Sequence, residues 1–362
     1  MGATYGNIFK VTIFGESHSA SIGIVLDGIP AGVSLDMAEI HAEMARRAPG
    51  NNAFSTPRKE TDMPQIQSGF FNGKTTGTPL CAVIQNTNTR AQDYNPEVLR
   101  PSHADYSGQI RYHGFQDYRG GGHFSGRLTA PLVFAGAIAK QILKEKNIEI
   151  FAHIARVGNV KDKPFSSKEI DIDSMRILKA STLPVLDTEI APIIEREILS
   201  AKDKMDSVGG SVEAMITGLQ PGLGSPFFDS VESRIAQILF SVPAVKAVEF
   251  GAGKAFSSMR GSEANDQFCI EDGIVKTRTN HNGGLNGGIT NGMPVLVTAT
   301  IKPTPSIGME QTTVNIKEMQ DVSYAVQGRH DPCIVQRAVP VVEAALAIVA
   351  LDLLLEGKTY AE

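Results

Sequence analysis

Cysteine is scarce in this chain: 362 residues hold three, Cys81, Cys269 and Cys333. An odd number at distant positions excludes a disulfide framework, and no pair has the spacing of a zinc knuckle. A reducing, cytoplasmic setting is the expectation. An excess of positive charge is missing as well, with 34 Lys and Arg against 39 Asp and Glu for a net charge of −5. Affinity for a phosphate backbone needs clustered cations, so nucleic acid is not an expected partner. The opening residues, Met-Gly-Ala-Thr-Tyr-Gly-Asn, carry no charged and apolar leader of the secretory kind. No uninterrupted apolar run is long enough to span a bilayer. The most apolar stretch, 344–355, is short and broken by Asp352. It reads as a buried helix, and no membrane partner is expected. Neither a G-x-G-x-x-G after the first strand nor a G-x-x-x-x-G-K-[ST] loop occurs, which argues against a Rossmann fold and a nucleotide P-loop.

What is present alternates strands and helices without a strict βαβ rhythm. "FKVTIFGES" and "SASIGIVLDG" are β-branched runs joined by Gly-Glu-Ser-His, which predicts strand, loop, strand. In "SLDMAEIHAEMARRAPG", Asp36 is a candidate N-cap with Glu39 three residues on, and the helix should stop at Pro49-Gly50. Further strands are expected at "PLCAVIQ", near 148–154 and 211–217, and at "MPVLVTATIKP"; helical patterns fall at 188–205 and in "FFDSVESRIAQILFS". Residues 128–146 and the C-terminal "VPVVEAALAIVALDLLLEG", with Gly357 as its stop, are apolar on nearly all sides. Such helices lie between layers. The expected fold is α+β, one compact unit over residues 1–362, with helices enclosed by sheets.

The chemistry-bearing residues concentrate in Gly- and Pro-rich loops. His18, beside Glu16 on a strand-exit loop, suits a general acid or an ordinary turn histidine. "RPSHADY" packs Arg100, His103 and Asp105 together, and Pro101 predicts a turn rather than a helix. "YRGGGHFSGR" sets three glycines between Arg119 and Arg127, as an anion cradle would. "NHNGGLNGGITNG" and "KPTPSIG" offer backbone amides at close approach, or simply several left-handed positions. In "QGRHDPCIVQRAVP", Asp331 between arginines should be ionised, to orient a histidine or accept a proton. His103, His113 and His123 recur every ten residues, a period that matches no helix face or hairpin, and no metal site is expected.

Taken together and in order, "YGNIFKVTIFGESH", "RRAPG", "RPSHADY", "DYRGGG", "GLGSPFFD", "SVPAVKAVEFGAGKAF", "GSEANDQF", "NGGLNGGITNGMP", "KPTPSI" and "GRHDPCIVQRAVPVVEA" resemble the chorismate synthase family over almost the whole chain. The resemblance implies a lyase of aromatic amino acid biosynthesis, acting at the last common step of the shikimate pathway. It would remove phosphate from 5-enolpyruvylshikimate 3-phosphate by 1,4-anti elimination, with loss of a ring hydrogen. It also implies reduced FMN, kept reduced by NADPH or another external reductant, and a homotetramer of β-α-β sandwiches.

By the same resemblance His18 is the proton donor to the leaving phosphate, His103 sits by the reduced flavin, and Asp331 helps remove the ring proton. Arg47, Arg119 and Arg337 would bind the anionic substrate, as arginine-lined pockets do. The flavin contacts would be His123, Phe124, Ser125, Pro243, Ala244, Gly287, Lys302, Pro303, Thr304, Pro305, Ser306 and Arg329. Three positions depart from the family pattern. His123-Phe124-Ser125 stands where many members have Arg-Ser-Ser, Ser19 replaces a glycine after the first histidine, and Ala53 falls where a second arginine often stands. A phosphate-ester hydrolase using His18 and His103 without flavin, or a flavin-binding protein without activity, are the competing readings.

Overall fold

The computed structural model describes residues 2–50, 62–88, 94–165, 171–326 and 331–359. The first sheet contains β1 (Thr4–Tyr5), β2 (Lys10–Gly15), β3 (Ser21–Asp27), β4 (Gln65–Ser68) and β5 (Leu80–Gln85), in spatial order β1-β2-β3-β5-β4. The second contains β6 (Glu149–Val157), β7 (Val160–Lys161), β8 (Gly210–Thr217), β9 (Val245–Phe250) and β10 (Val295–Ile301), in order β9-β10-β8-β6-β7. Every pairing in both is antiparallel. The helices are α1 (Met37–Arg47), α2 (Asp105–Arg111), α3 (Thr129–Lys144), α4 (Ile172–Ala180), α5 (Ala191–Asp203), α6 (Val231–Ser241), the four-residue α7 (Gly261–Ala264) and α8 (Val335–Thr359).

The two apolar helices form the filling of a sandwich. α3 packs on β3, α8 packs on β6 and β8, and α3 and α8 pack on each other. Their approach is close because Gly136 has no side chain: a Cβ there would fall 2.3 Å from Ala344 Cβ. One continuous apolar cluster joins Ile22 and Leu80 of the first sheet, Phe134 and Ile138 of α3, Leu346 and Leu351 of α8, and Ile154 and Val297 of the second sheet. Fully burying each such side chain contributes about 1.5–3 kcal/mol. The expected α+β layering is therefore the observed one.

α8 is long and apolar enough over Val335–Gly357 to cross a membrane, but 89% of its most apolar window is buried inside the protein. Asp352, which breaks that run, accepts hydrogen bonds from the backbone N–H groups of Asn7, Ile8 and Phe9, each at 2.8 Å, and pairs with Arg234. A buried carboxylate needs such partners, and these tie the N-terminal segment to α8. A second buried ionic cluster links α1, α3, α4 and α8 through Glu43, Arg46, Lys140, Lys179 and Glu343. Burial alone would raise the Glu343 carboxyl, but Arg46 and Lys140 overcome it and hold the group at about 2.

Several sequence-based boundaries move. Asp36 caps α1 as expected, accepting from the N–H groups of Ala38 and Glu39. α8 begins at Val335, one turn before the expected Val339, because Pro340 reads as a first-turn residue yet lies inside the helix. Gly357 does not end it: α8 continues to Thr359, and a Cβ at Gly357 would fall 2.9 Å from Leu223 Cδ2, so glycine there serves packing. α6 starts at Val231, capped by Ser230, and leaves Phe227 and Phe228 outside and exposed. The "RPSHADY" segment is not wholly a turn, since Asp105 opens α2. β9, α4 and the hairpins Phe268–Glu271/Ile274–Thr277 and Gln311–Asn315/Gln320–Tyr324 were not anticipated.

Candidate active site

His18 lies in the loop between β2 and β3, at the end of the first sheet where Gly15 opposes Ile22 and Ser21 opposes Gln85. Local hydrogen bonds fix that loop. Ser19 Oγ donates to the Glu16 and Ser21 carbonyls, and Asn86 Nδ2 donates to the Glu16 and Ser19 carbonyls. His18 is buried, its Nδ1 lies 3.1 Å from Ser17 Oγ, and the edge of its ring meets Tyr94 at a centroid distance of 5.2 Å.

The glycine run completes the pocket for this imidazole. Gly120 and Gly121 have φ of 60° and 90°, and Ser17 N donates to Gly122 O at 3.1 Å. A Cβ on Gly120 would fall 2.2 Å from His18 Cε1. One on Gly121 would fall 3.1 Å from His103 Cε1 and 3.2 Å from His103 Nε2. Consecutive glycines thus seat the two histidines that the sequence singled out from loops 85 residues apart. Glycine is required here both for its left-handed backbone and for the space. The close approach that the run permits is to side chains of the chain itself.

His103 is held from its other side. Its Nδ1 lies 2.7 Å from Asp105 Oδ1, and Asp105 receives Arg100 Nε at 2.8 Å, Arg100 Nη2 at 2.6 Å and the Arg100 backbone N–H at 2.9 Å. Burial would raise the Asp105 carboxyl, but the hydrogen bonds from His103 and Arg100 hold it far below the usual carboxylate range. Arg100 also lies over the Tyr94 ring, 5.4 Å from its centroid, so Tyr94 bridges the two histidine loops. Residue Ser102 has φ of 58°, and Lys302 Nζ donates to its carbonyl (2.6 Å) and hydroxyl (3.0 Å). A cavity of about 430 Å³ opens beside this loop, lined in part by Tyr94, Arg100, Asp105, Gly121 and Phe124.

Behind the histidines stands an arginine cluster. Arg47 donates to Asp62 (2.5 Å), to Thr129 Oγ1 (3.1 Å) and to the Gly126 carbonyl (3.1 Å). Arg127 pairs with the other Asp62 oxygen, and its Nε donates to Asn86 Oδ1 at 3.0 Å, which reaches back to the His18 loop. Arg337 donates to Asp331 (2.6 Å) and to the Arg47 carbonyl (3.1 Å). Burial lowers Arg47 to about 10 against the pull of Asp62, with Arg337 and Arg127 adding to the fall, so it stays charged at neutral pH. Among the described residues, three arginines here face two aspartates, Asp62 and Asp331. Arg119 stands apart: its guanidinium is engaged by Asp117 at 2.8 Å and is more than a third exposed.

Pro243-Ala244 and residues 302–306 lie at one end of adjacent strands, where Val245 of β9 opposes Ile301 of β10 and Lys302 N donates to the Ala244 carbonyl. Ser207 Oγ donates to Thr304 O, and Val208 N donates to Pro332 O, which brings this segment beside Asp331. The Thr304 hydroxyl is buried with no hydrogen-bond partner in the protein. The Lys302 ammonium at this end of the sheet is a cation that suits an anionic cofactor group. His123 Nδ1 lies 3.2 Å from Gly15 O, while Phe124 reaches the cavity and packs against Tyr112.

Gly287 is elsewhere. It turns the short hairpin Leu285–Asn286/Ile289–Thr290, and Thr290 Oγ1 accepts from the N–H of Leu223, which packs on Gly357 near the far end of α8. Asp331 and Arg337 lie at the beginning of α8, roughly 30 Å away at 1.5 Å per residue. Within one chain the structure does not bring Gly287 to the other candidates. Arg329 and Ala53 lie outside the described residues.

Asp62, Asn86, Tyr94 and the clamping role of Asp105 were not anticipated. Arg127 was noted as a nearby charge but not among the binding candidates. The signal for Asp62, Asn86 and Arg127 is weak in the sequence because they act through partners distant along the chain; Asp62 and Arg127 are 65 residues apart.

Comparison with known proteins places these observations in a family. A family model described as chorismate synthase matches residues 9–355. The chain is 45% identical over 358 residues to the chorismate synthase of Methanocella arvoryzae, covering 98% of this chain and 95% of that protein. It is 43% identical to that of Dehalococcoides mccartyi strain BAV1, covering 99% and 98%, and 42% identical to that of Thermococcus kodakarensis, covering 98% of each. A crystal structure of a chorismate synthase superposes with a TM-score of 0.77 at 29% identity, covering 97% of this chain and 93% of that one.

Proposed function

The chain belongs to the chorismate synthase family, lyases of the shikimate pathway, and from that premise we propose that the cluster around His18, His103 and Asp331 carries out the elimination with reduced FMN. The observation that carries the assignment to this cluster is the seating of both histidines on Gly120 and Gly121, with the Arg47, Arg127 and Arg337 group behind them. The substrate, 5-enolpyruvylshikimate 3-phosphate, bears two carboxylates and a phosphate, which suits an arginine-rich site inside an acidic protein.

His18 donates a proton to the departing phosphate, and Ser17 beside its Nδ1 fixes the ring. Arg47 and Arg337 bind the substrate's anionic groups, and Arg119 contributes when it leaves Asp117. Asp331, held by Arg337, assists removal of the ring proton. Reduced FMN, when bound, would supply electron density that eases phosphate loss. Lys302, Pro303, Thr304, Pro305, Ser306, Pro243, Ala244, His123, Phe124, Ser125 and Arg329 would hold it, with His103 balancing its negative charge. NADPH or another external reductant keeps it reduced.

The chain works as one unit in the cytoplasm and assembles as a homotetramer. Because Gly287 lies far from the other candidates within a chain, any part it takes in the same cofactor site comes from a second copy. An anaerobic assay with the substrate, FMN and dithionite tests the reading. Chorismate and phosphate should form in equal amounts only with reduced flavin. Phosphate release without flavin would favour the hydrolase instead.

A further inference from the structure

We propose that Asp105 is a positioning residue that fixes His103 with a proton on Nδ1 and so presents Nε2 toward Gly121. This rests on the assignment of His103 to the reaction. A histidine has two inequivalent nitrogens, and the bond made by one decides the protonation and direction of the other. Asp105 Oδ1 lies 2.7 Å from His103 Nδ1, and an ionised carboxylate can only accept, so Nδ1 must donate. The carboxylate is itself immobilised by a two-toothed pair with Arg100 and by the Arg100 backbone N–H, and Arg100 is fixed over Tyr94. On the opposite side of the ring, Nε2 is the nitrogen that would lie 3.2 Å from a Cβ on Gly121. Lys302 also ties Ser102 in the same loop. The arrangement follows the logic of a carboxylate that orients a working imidazole without touching substrate.

The test begins on the unmodified protein, with nitrogen NMR of histidine-labelled enzyme and His103→Gln to assign the resonance. A proton on His103 Nδ1 is expected; an unprotonated Nδ1 would overturn the proposal. Asp105→Asn should then lower kcat by about 100-fold while KM for substrate stays within about threefold, because a preorganised group that stabilises negative charge contributes on that scale. Unchanged kcat in the folded variant would also overturn it. That change takes the carboxylate from the buried Arg100, so the double variant Arg100→Gln, Asp105→Asn removes both charges and is measured alongside. The resonance separates two failures: no chorismate from the parent enzyme refutes the functional reading, whereas a proton absent from Nδ1 refutes this one.

Discussion

Replacing Gly120 with alanine should uncouple activity from folding. The new Cβ would fall 2.2 Å from His18 Cε1 and 2.7 Å from Ser17 Oγ, where ordinary contact begins at 3.4 Å. The imidazole must therefore move by more than about 1 Å. A displacement of that size in a reacting group costs on the order of 100-fold in rate. The backbone cost is smaller: a non-glycine residue at φ of 60° is disfavoured by roughly 1–2 kcal/mol. A domain stable by about 5–15 kcal/mol tolerates that loss. Gly121→Ala should be milder, since its Cβ would fall 3.1 Å from His103 and the ring need yield only a few tenths of an ångström. Gly32→Ala supplies the backbone penalty alone, with φ of 84° and open space around the added carbon. Anaerobic kcat with reduced FMN, together with the thermal midpoint, separates the three. Gly120→Ala that folds and keeps activity within threefold of the parent would refute the seating of His18 by this glycine.

Other consequences follow from buried groups and from the altered flavin motif. His153 is fully buried between Asp162 and Glu213, each at 2.9 Å. Burial opposes its charge, but the two carboxylates prevail and raise it above the ordinary imidazole value. Its contribution to stability is therefore complete below the unfolded value, about 6.5, and is lost as pH rises through the higher folded value. Urea denaturation should show a fall in stability on the alkaline side of that window that His153→Gln lacks; identical pH dependence in both proteins would contradict it. Burial pushes the Cys333 thiol up to about 12, so it should resist a thiol reagent in the native state while reacting after denaturation. Labelling of Cys333 in the folded protein would count against that. His123 is a proposed flavin contact, so His123→Ala should weaken flavin binding in a fluorescence titration, and unchanged affinity would remove it from the cofactor site.

Much of this architecture was legible because it depends on local pattern. The strands around His18, the Asp36 cap of α1 and the nearly all-apolar α3 and α8 each announce themselves within about twenty residues. The candidate residues were legible too, since glycine, proline and histidine mark the loops that hold them. Their partners were not. Lys302 meets Ser102 across 200 residues, and Asn86 meets the Glu16 carbonyl across 70. The three glycines illustrate the limit. Their composition alone suggested a cradle for a ligand's anionic group, whereas two of the missing side chains leave room for His18 and His103. Where Gly357 suggested a helix end, tertiary packing overrode local preference.

The most direct test is anaerobic turnover of 5-enolpyruvylshikimate 3-phosphate by the parent protein and by His18→Ala and His103→Ala, with reduced FMN saturating. The parent should release phosphate and chorismate in equal amounts, and each folded variant should lose at least about 100-fold in kcat. Equal turnover without flavin, or full activity in either variant, would contradict the assignment of this chemistry to the two histidines seated on the glycine run.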